Sequence, residues 1–187
     1  MRISLVLALL CCAASARAQP RHLETLEGVL AGVAPVGETY DGLWTAGPGG
    51  ALRVGTEFYG GEASFALHAF PNEPAQPDLP AFLAVRGALG WGARLGLPAR
   101  LRLTAGGTVG AVHMRFDDED RDALSNETEL TAGLFARLDA PLAGPVRLFA
   151  GAEVVHVYTA VPITYRFVQG GVSVSAPAPG WLRRLLR

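Results

Sequence analysis

Lysine is absent from the 187 residues; every fixed positive charge is arginine, beside four histidines. This is compositional bias, and a formal net charge of −1 gives no sign of a nucleic-acid partner, so none is expected. Cysteine is confined to Cys11 and Cys12. Beyond them there is no disulfide framework, no thiol nucleophile and no zinc–thiolate site. No later stretch reaches the roughly 18 uninterrupted apolar residues of a transmembrane helix. Thirteen prolines and 23 glycines argue against long helices and for many turns. Half of the residues are hydrophobic, and the length fits one domain.

What is present begins with an export signal. Arg2 is a minimal positive region, Ile3 to Ala14 an apolar core, and Ala16-Arg17-Ala18 a small-x-small cleavage site. Residues 1–18 are therefore expected to be removed, leaving a mature chain from Gln19. Leu10 before Cys11 is not the small residue that a lipoprotein signal wants, so lipidation is not expected.

The mature chain alternates. Leu83, Val85, Leu89, Trp91, Ala93 and Leu95 share one parity, and Ala84, Arg86, Ala88, Gly90, Gly92 and Arg94 the other. After a short Gly-Leu-Pro-Ala link, Leu101, Leu103, Ala105, Val109 and Ala111 oppose Arg102, Thr104, Gly106, Thr108 and Gly110. A period of two is a strand, and each run exceeds the nine to eleven residues that a tilted strand needs to cross a bilayer. Six more runs start at Glu24, Ala51, Glu62, Glu127, Val146 and Thr164. The expected fold is all-β: an eight-stranded antiparallel up-and-down transmembrane β-barrel over residues 19–176, followed by a basic periplasmic tail, 177–187. A barrel is the β-structure that lipid tolerates, because closure pairs every backbone polar group.

Connections alternate in length. Those at Gly60-Gly61, Gly96 to Ala99 and Asp139 to Pro145 are compact; those at Pro35 to Gly50, Pro71 to Pro80 and Asp117 to Asn126 are longer. Short periplasmic turns and longer outer loops are the outer-membrane arrangement. Phe58, Phe65 and Trp91 then fall on the apolar face near the periplasmic strand ends, and Tyr158 near the outer end, as membrane-interface aromatics. The other face carries Arg53, Glu57, Arg86, Arg94, Arg102, Glu129, Arg137, Arg147 and Glu153, expected to point inward as a structural charge network. Eight strands leave room for side chains and not for an open channel, and the fork of arginine suits buried carboxylate pairing.

The signal, the eight runs, the loop asymmetry and the Gly-rich ending Tyr165-Arg-Phe-Val-Gln-Gly-Gly-Val-Ser-Val-Ser175 together resemble the OmpA-like small outer-membrane β-barrels, over roughly Glu24 to Ala176. The resemblance implies insertion by the barrel assembly machinery into the outer membrane of a Gram-negative bacterium. It also implies contact with outer-membrane lipid and lipopolysaccharide, a monomeric state, a filled or narrow lumen, and a structural, surface-contact or minor-permeability role. The chain departs from the family in running on past the last strand through Trp181 to Arg187 instead of ending on an aromatic residue.

No cofactor, metal or catalytic residue is expected. Asp118, Asp120 and Asp122, with Glu129 eleven residues after Asp118, have calcium-loop spacing, but Ala123 stands where the sharp turn wants glycine. They read as a solvated acidic tip, at most bridging cations to lipopolysaccharide phosphates. His68, His113 and His156 read as rim histidines on non-adjacent strands. His156 lies on the lipid-facing parity without a serine on its strand, and Ser125 is the one serine in the outer loops, so a nucleophile–base pair and hence an enzyme are not expected. The tail from Gly180 to Arg187 has Trp and Leu at helical spacing with three arginines, a short basic amphipathic turn. The alternative reading is a soluble exported lipocalin-like barrel that binds a small apolar ligand, with the two faces exchanged.

Overall fold

The computed structural model describes residues 24–36, 42–117, 126–159 and 163–185. The expected signal, the acidic positions Asp118, Asp120 and Asp122, and Ser125 lie outside these. Among the described residues no helix is long and apolar enough to cross a membrane.

Nine strands run in chain order: β1 Thr25–Pro35, β2 Trp44–Ala46, β3 Gly49–Phe58, β4 Gly61–Pro74, β5 Phe82–Gly96, β6 Arg102–Phe116, β7 Glu127–Ala143, β8 Val146–Val157 and β9 Ile163–Pro177. A short helix α1, Gly180–Leu185, follows. All pairings are antiparallel, and β9 pairs with β1 over eleven registered positions, from Thr25↔Pro177 to Pro35↔Phe167. With β4 also paired to β5, eight strands close into a barrel in which each is paired on both sides, and β2 is the one edge strand among the described residues. Successive hydrogen-bonded partners lead from Leu26 through Thr56, Ala63, Trp91, Gly107, Leu134, Val154 and Arg166 back to β1 at Val36, ten residues nearer the outer end. That stagger tilts the strands, as closure requires.

The ninth strand corrects the reading of Pro35 to Gly50 as a plain loop. Trp44, Thr45 and Ala46 pair with Pro74, Glu73 and Asn72, on an extension of β4 beyond Phe70. Trp44 is buried there, its indole N–H donating to the carbonyl of Pro80 at 2.8 Å. Strands also run further than the alternation suggested. β7 continues to Ala143 with a register shift between Pro141 and Ala143, so Asp139 is a strand residue and not part of a turn. The first hairpin turns on Tyr59 and Gly60, with φ of 47° and 74°, and Gly61 already belongs to β4. Two positive φ values make the turn that matches strand twist. At Gly106 a Cβ would meet backbone atoms of Trp91 and Gly92, so this crossing of β5 and β6 requires glycine.

The faces divide cleanly. Leu30, Leu52, Phe65, Leu89, Trp91, Val109, Leu130, Leu134, Leu148, Val154 and Val172 all point outward and are exposed. The arginines of the charged parity point inward. A lipocalin-type barrel has the reverse polarity, with its leucines inside.

Candidate functional site

The lumen is the chemically distinctive part of the molecule, and it has two layers. The outer layer is apolar. From β4, β5 and β6 come Phe70, Phe82, Ala84, Val112, Met114 and Phe116; from β8 and β9 come Val155, Val157, Ile163, Tyr165 and Phe167; Trp44 caps them. The rings interlock: Phe70 meets Tyr165 and Phe167 edge-on, both with centroids 4.9 Å apart, and Trp44 meets Phe82 at 5.7 Å. Such pairs add to the burial of large aromatic area. Inward positions near the outer strand ends are thus filled as in a soluble core, which the sequence reading had not assigned.

Below lies the charged layer. Five arginines, Arg53, Arg86, Arg94, Arg102 and Arg137, meet five carboxylates, Glu27, Glu57, Glu62, Asp139 and Glu153. In the larger cluster Arg137 donates to Glu27 at 2.8 Å, to Glu62 at 3.0 Å and to Asp139 at 3.0 Å. Arg94 donates to Glu57 at 3.0 Å and to Glu62 at 2.7 Å, and Arg102 to Glu27 and Asp139. Arg53 lies 2.9 Å from Glu62 without hydrogen-bond alignment and over the ring of Phe135. Four cations thus answer four anions. Charges this deep persist because each has partners.

The smaller cluster holds one pair. The Arg86 guanidinium donates to Glu153 Oε1 at 2.8 Å, to Thr108 Oγ1 at 2.7 Å and to Thr131 Oγ1 at 3.2 Å. Gln169 donates to the other Glu153 oxygen at 3.0 Å. His68 completes this set: Arg86 Nη1 is 3.5 Å from its Nδ1, and because a guanidinium only donates, this contact casts Nδ1 as the acceptor. A cavity of ≈ 30 Å³ bordered by Arg53, His68, Thr108, Arg137, Glu153 and Gln169 leaves space for on the order of two waters.

The structure places the nine charged positions as follows. Arg53, Glu57, Arg86, Arg94, Arg102, Arg137 and Glu153 enter the network. Glu129 has inward parity at the outer rim and joins no ion pair among the described residues. Arg147 lies at the periplasmic rim, where its guanidinium donates to the carbonyl of Arg100 at 2.6 Å. The anions answering the arginines are mainly Glu27, Glu62 and Asp139. The β1 alternation was too irregular to assign Glu27 a face; Glu62 lay beside an expected turn and Asp139 within one. His68 corrects the reading of three rim histidines: it is inward and buried, whereas His113 is outward and exposed and His156 outward and half-buried. Of the interface aromatics, Phe65, Trp91 and Tyr158 are outward and exposed. Phe58 is half-buried, its carbonyl accepting from the Trp91 indole at 3.1 Å.

What this geometry does is fill a barrel and neutralise its interior. No family model matches the chain, and no curated protein does. Among solved structures the fold is similar to the crystal structure of Neisserial surface protein A (NspA), an eight-stranded outer-membrane β-barrel, at a TM-score of 0.52 and 13% identity, the match covering 80% of this chain and 95% of that one. The chain thus has the fold of a closed eight-stranded antiparallel barrel of the outer-membrane type.

Proposed function

We propose that the protein is a non-enzymatic barrel of the outer membrane of a Gram-negative bacterium, with a structural and surface-contact role in the envelope. It is exported on residues 1–18, inserted by the barrel assembly machinery and monomeric, and lipid and lipopolysaccharide are its surroundings. The observation that carries this reading is the polarity of the wall. Leu134, 72% exposed, and Leu130, 70% exposed, look out, while Arg86 and Arg137, 2% and 4% exposed, look in. In water this would leave an apolar belt far larger than soluble monomers expose; in lipid it is the expected surface. The test is gel mobility of the membrane fraction: the unboiled protein runs as a compact folded species and shifts on boiling. Recovery as a soluble periplasmic protein would overturn the reading.

The aromatic layer and the ion pairs together close the lumen, which supports a structural role over a permeability role. In planar bilayers the expected result is no stepwise conductance. Regular single-channel openings would show that the layers part, and would restore the permeability reading.

A further inference from the structure

Among the described residues the outward face becomes basic near its outer end over β6 to β9 alone; the one charge that the other half presents near that height is the acidic Glu73 of β4. His113 and Arg115 project from β6, His156 from β8, and Arg166 from β9; His113, Arg115 and Arg166 are exposed. The ten-residue stagger raises a hydrogen-bonded row by about 1.25 residues per strand. Correcting for that climb brings His113, His156 and the segment Thr164 to Arg166 to one level, with Arg115 one pleat higher. At the same level the other half of the wall presents Val36, Pro71 and Leu83. An interface girdle would run all the way round, so a one-sided basic arc points to a particular occupant.

The arc is also held in place. His113 Nδ1 is 2.9 Å from Thr128 Oγ1 across the β6–β7 ladder, and His156 Nδ1 is 3.2 Å from Thr164 Oγ1 across β8–β9. His156 further meets the Tyr158 ring edge-on at 4.8 Å. Each pairing occupies Nδ1 and leaves Nε2 for an outside group. The acidic neighbours are Asp117, one pleat above Arg115, and Glu127 at the rim of β7.

Resting on the membrane reading above, we infer that this arc binds the phosphorylated headgroup of an outer-leaflet glycolipid. Charge fixes the class: two guanidiniums and two imidazoles match a phosphate. Continuity fixes the source, because the apolar wall directly beneath, with Leu134, Val154 and Val168 exposed, accepts the acyl chains of the same molecule.

The experiment uses the mature chain refolded in detergent, with binding of diphosphorylated lipid A and of its dephosphorylated form read by native mass spectrometry. The expected result is retention of the phosphorylated form by the wild type, at least tenfold weaker retention by Arg115→Gln/Arg166→Gln, and equally weak binding of the dephosphorylated form to both. Glu73→Gln, outward on the opposite half, retains wild-type binding. Equal retention by wild type and double variant, or equal retention of the two lipids, would overturn the inference. Heat-shifted gel mobility of each variant reports folding separately. A folded barrel without lipid discrimination defeats the arc alone, and a chain soluble without detergent defeats the membrane reading with it.

Discussion

Arg86→Met is expected to destabilise the barrel by about 3–5 kcal/mol, and Arg86→Met/Glu153→Met by much less. The single change strands Glu153, 4% exposed, inside the lumen with Thr108 and Gln169 as its remaining donors. No other arginine of the described residues pairs with it, because Arg53, Arg94, Arg102 and Arg137 are engaged with Glu27, Glu57, Glu62 and Asp139. The double change removes both charges and fills the space with flexible apolar side chains. What remains is the loss of partners for Thr108, Thr131 and Gln169, about 0.5–1.5 kcal/mol each, offset by the desolvation that two buried charges no longer require. Urea unfolding in detergent, or in lipid vesicles, with all variants in one buffer, measures the difference. If the double variant is as damaged as the sum of the singles, the threonine and glutamine web and not charge pairing holds this layer together.

Leu134→Arg is the second large effect. Leu134 lies outward near the middle of the apolar wall on β7. For a protein in water, changing so exposed a side chain typically moves stability by no more than about 0.5 kcal/mol. With lipid against that wall, the expected cost is about 2–4 kcal/mol at the bilayer midplane. Leu142, equally outward but near the periplasmic end of β7, is expected to tolerate the same replacement at about 0–1 kcal/mol. Unfolding from vesicles resolves both. A flat response along the strand would mean that the wall does not meet hydrocarbon.

Much of this architecture could be read from the alternation, for a physical reason. A closed barrel with one face against an apolar medium and the other against itself makes parity informative along the whole strand, so Leu89 and Arg86 declare opposite sides without tertiary knowledge. Parity misled where the pattern inverts, with an apolar inward face and a polar outward one. In Val112-His-Met-Arg-Phe116 the inward residues are the hydrophobic ones, and a rule that equates polar with inward fails there. The aromatic layer was therefore missed, and with it β2, whose three residues make a strand only because the extension of β4 offers a partner. The anions were obscured differently. Glu62 and Asp139 lie beside residues typical of turns, and only the register carries Glu62 into the wall within reach of Arg94 and Arg137 and sets Asp139 opposite Arg102. Glu129 was paired by parity alone, although height decides which charges meet: it is stranded at the outer rim, far along β7 from Arg137. The level arc of His113, His156 and Arg166 depends on the barrel stagger, which no single strand encodes.

On the membrane reading, one parity of each strand faces hydrocarbon and the other a closed interior. Residues 19–187 contain no cysteine, so in that span single cysteines from residue 130 to residue 138 of β7 can each carry a spin label in vesicles. The expected result is a period of two: high accessibility to molecular oxygen and low accessibility to a water-soluble nickel chelate at Leu130, Ala132, Leu134, Ala136 and Leu138, and low accessibility to both at Thr131, Gly133, Phe135 and Arg137. Exposure of the even positions to the nickel chelate would place them in water and contradict the account.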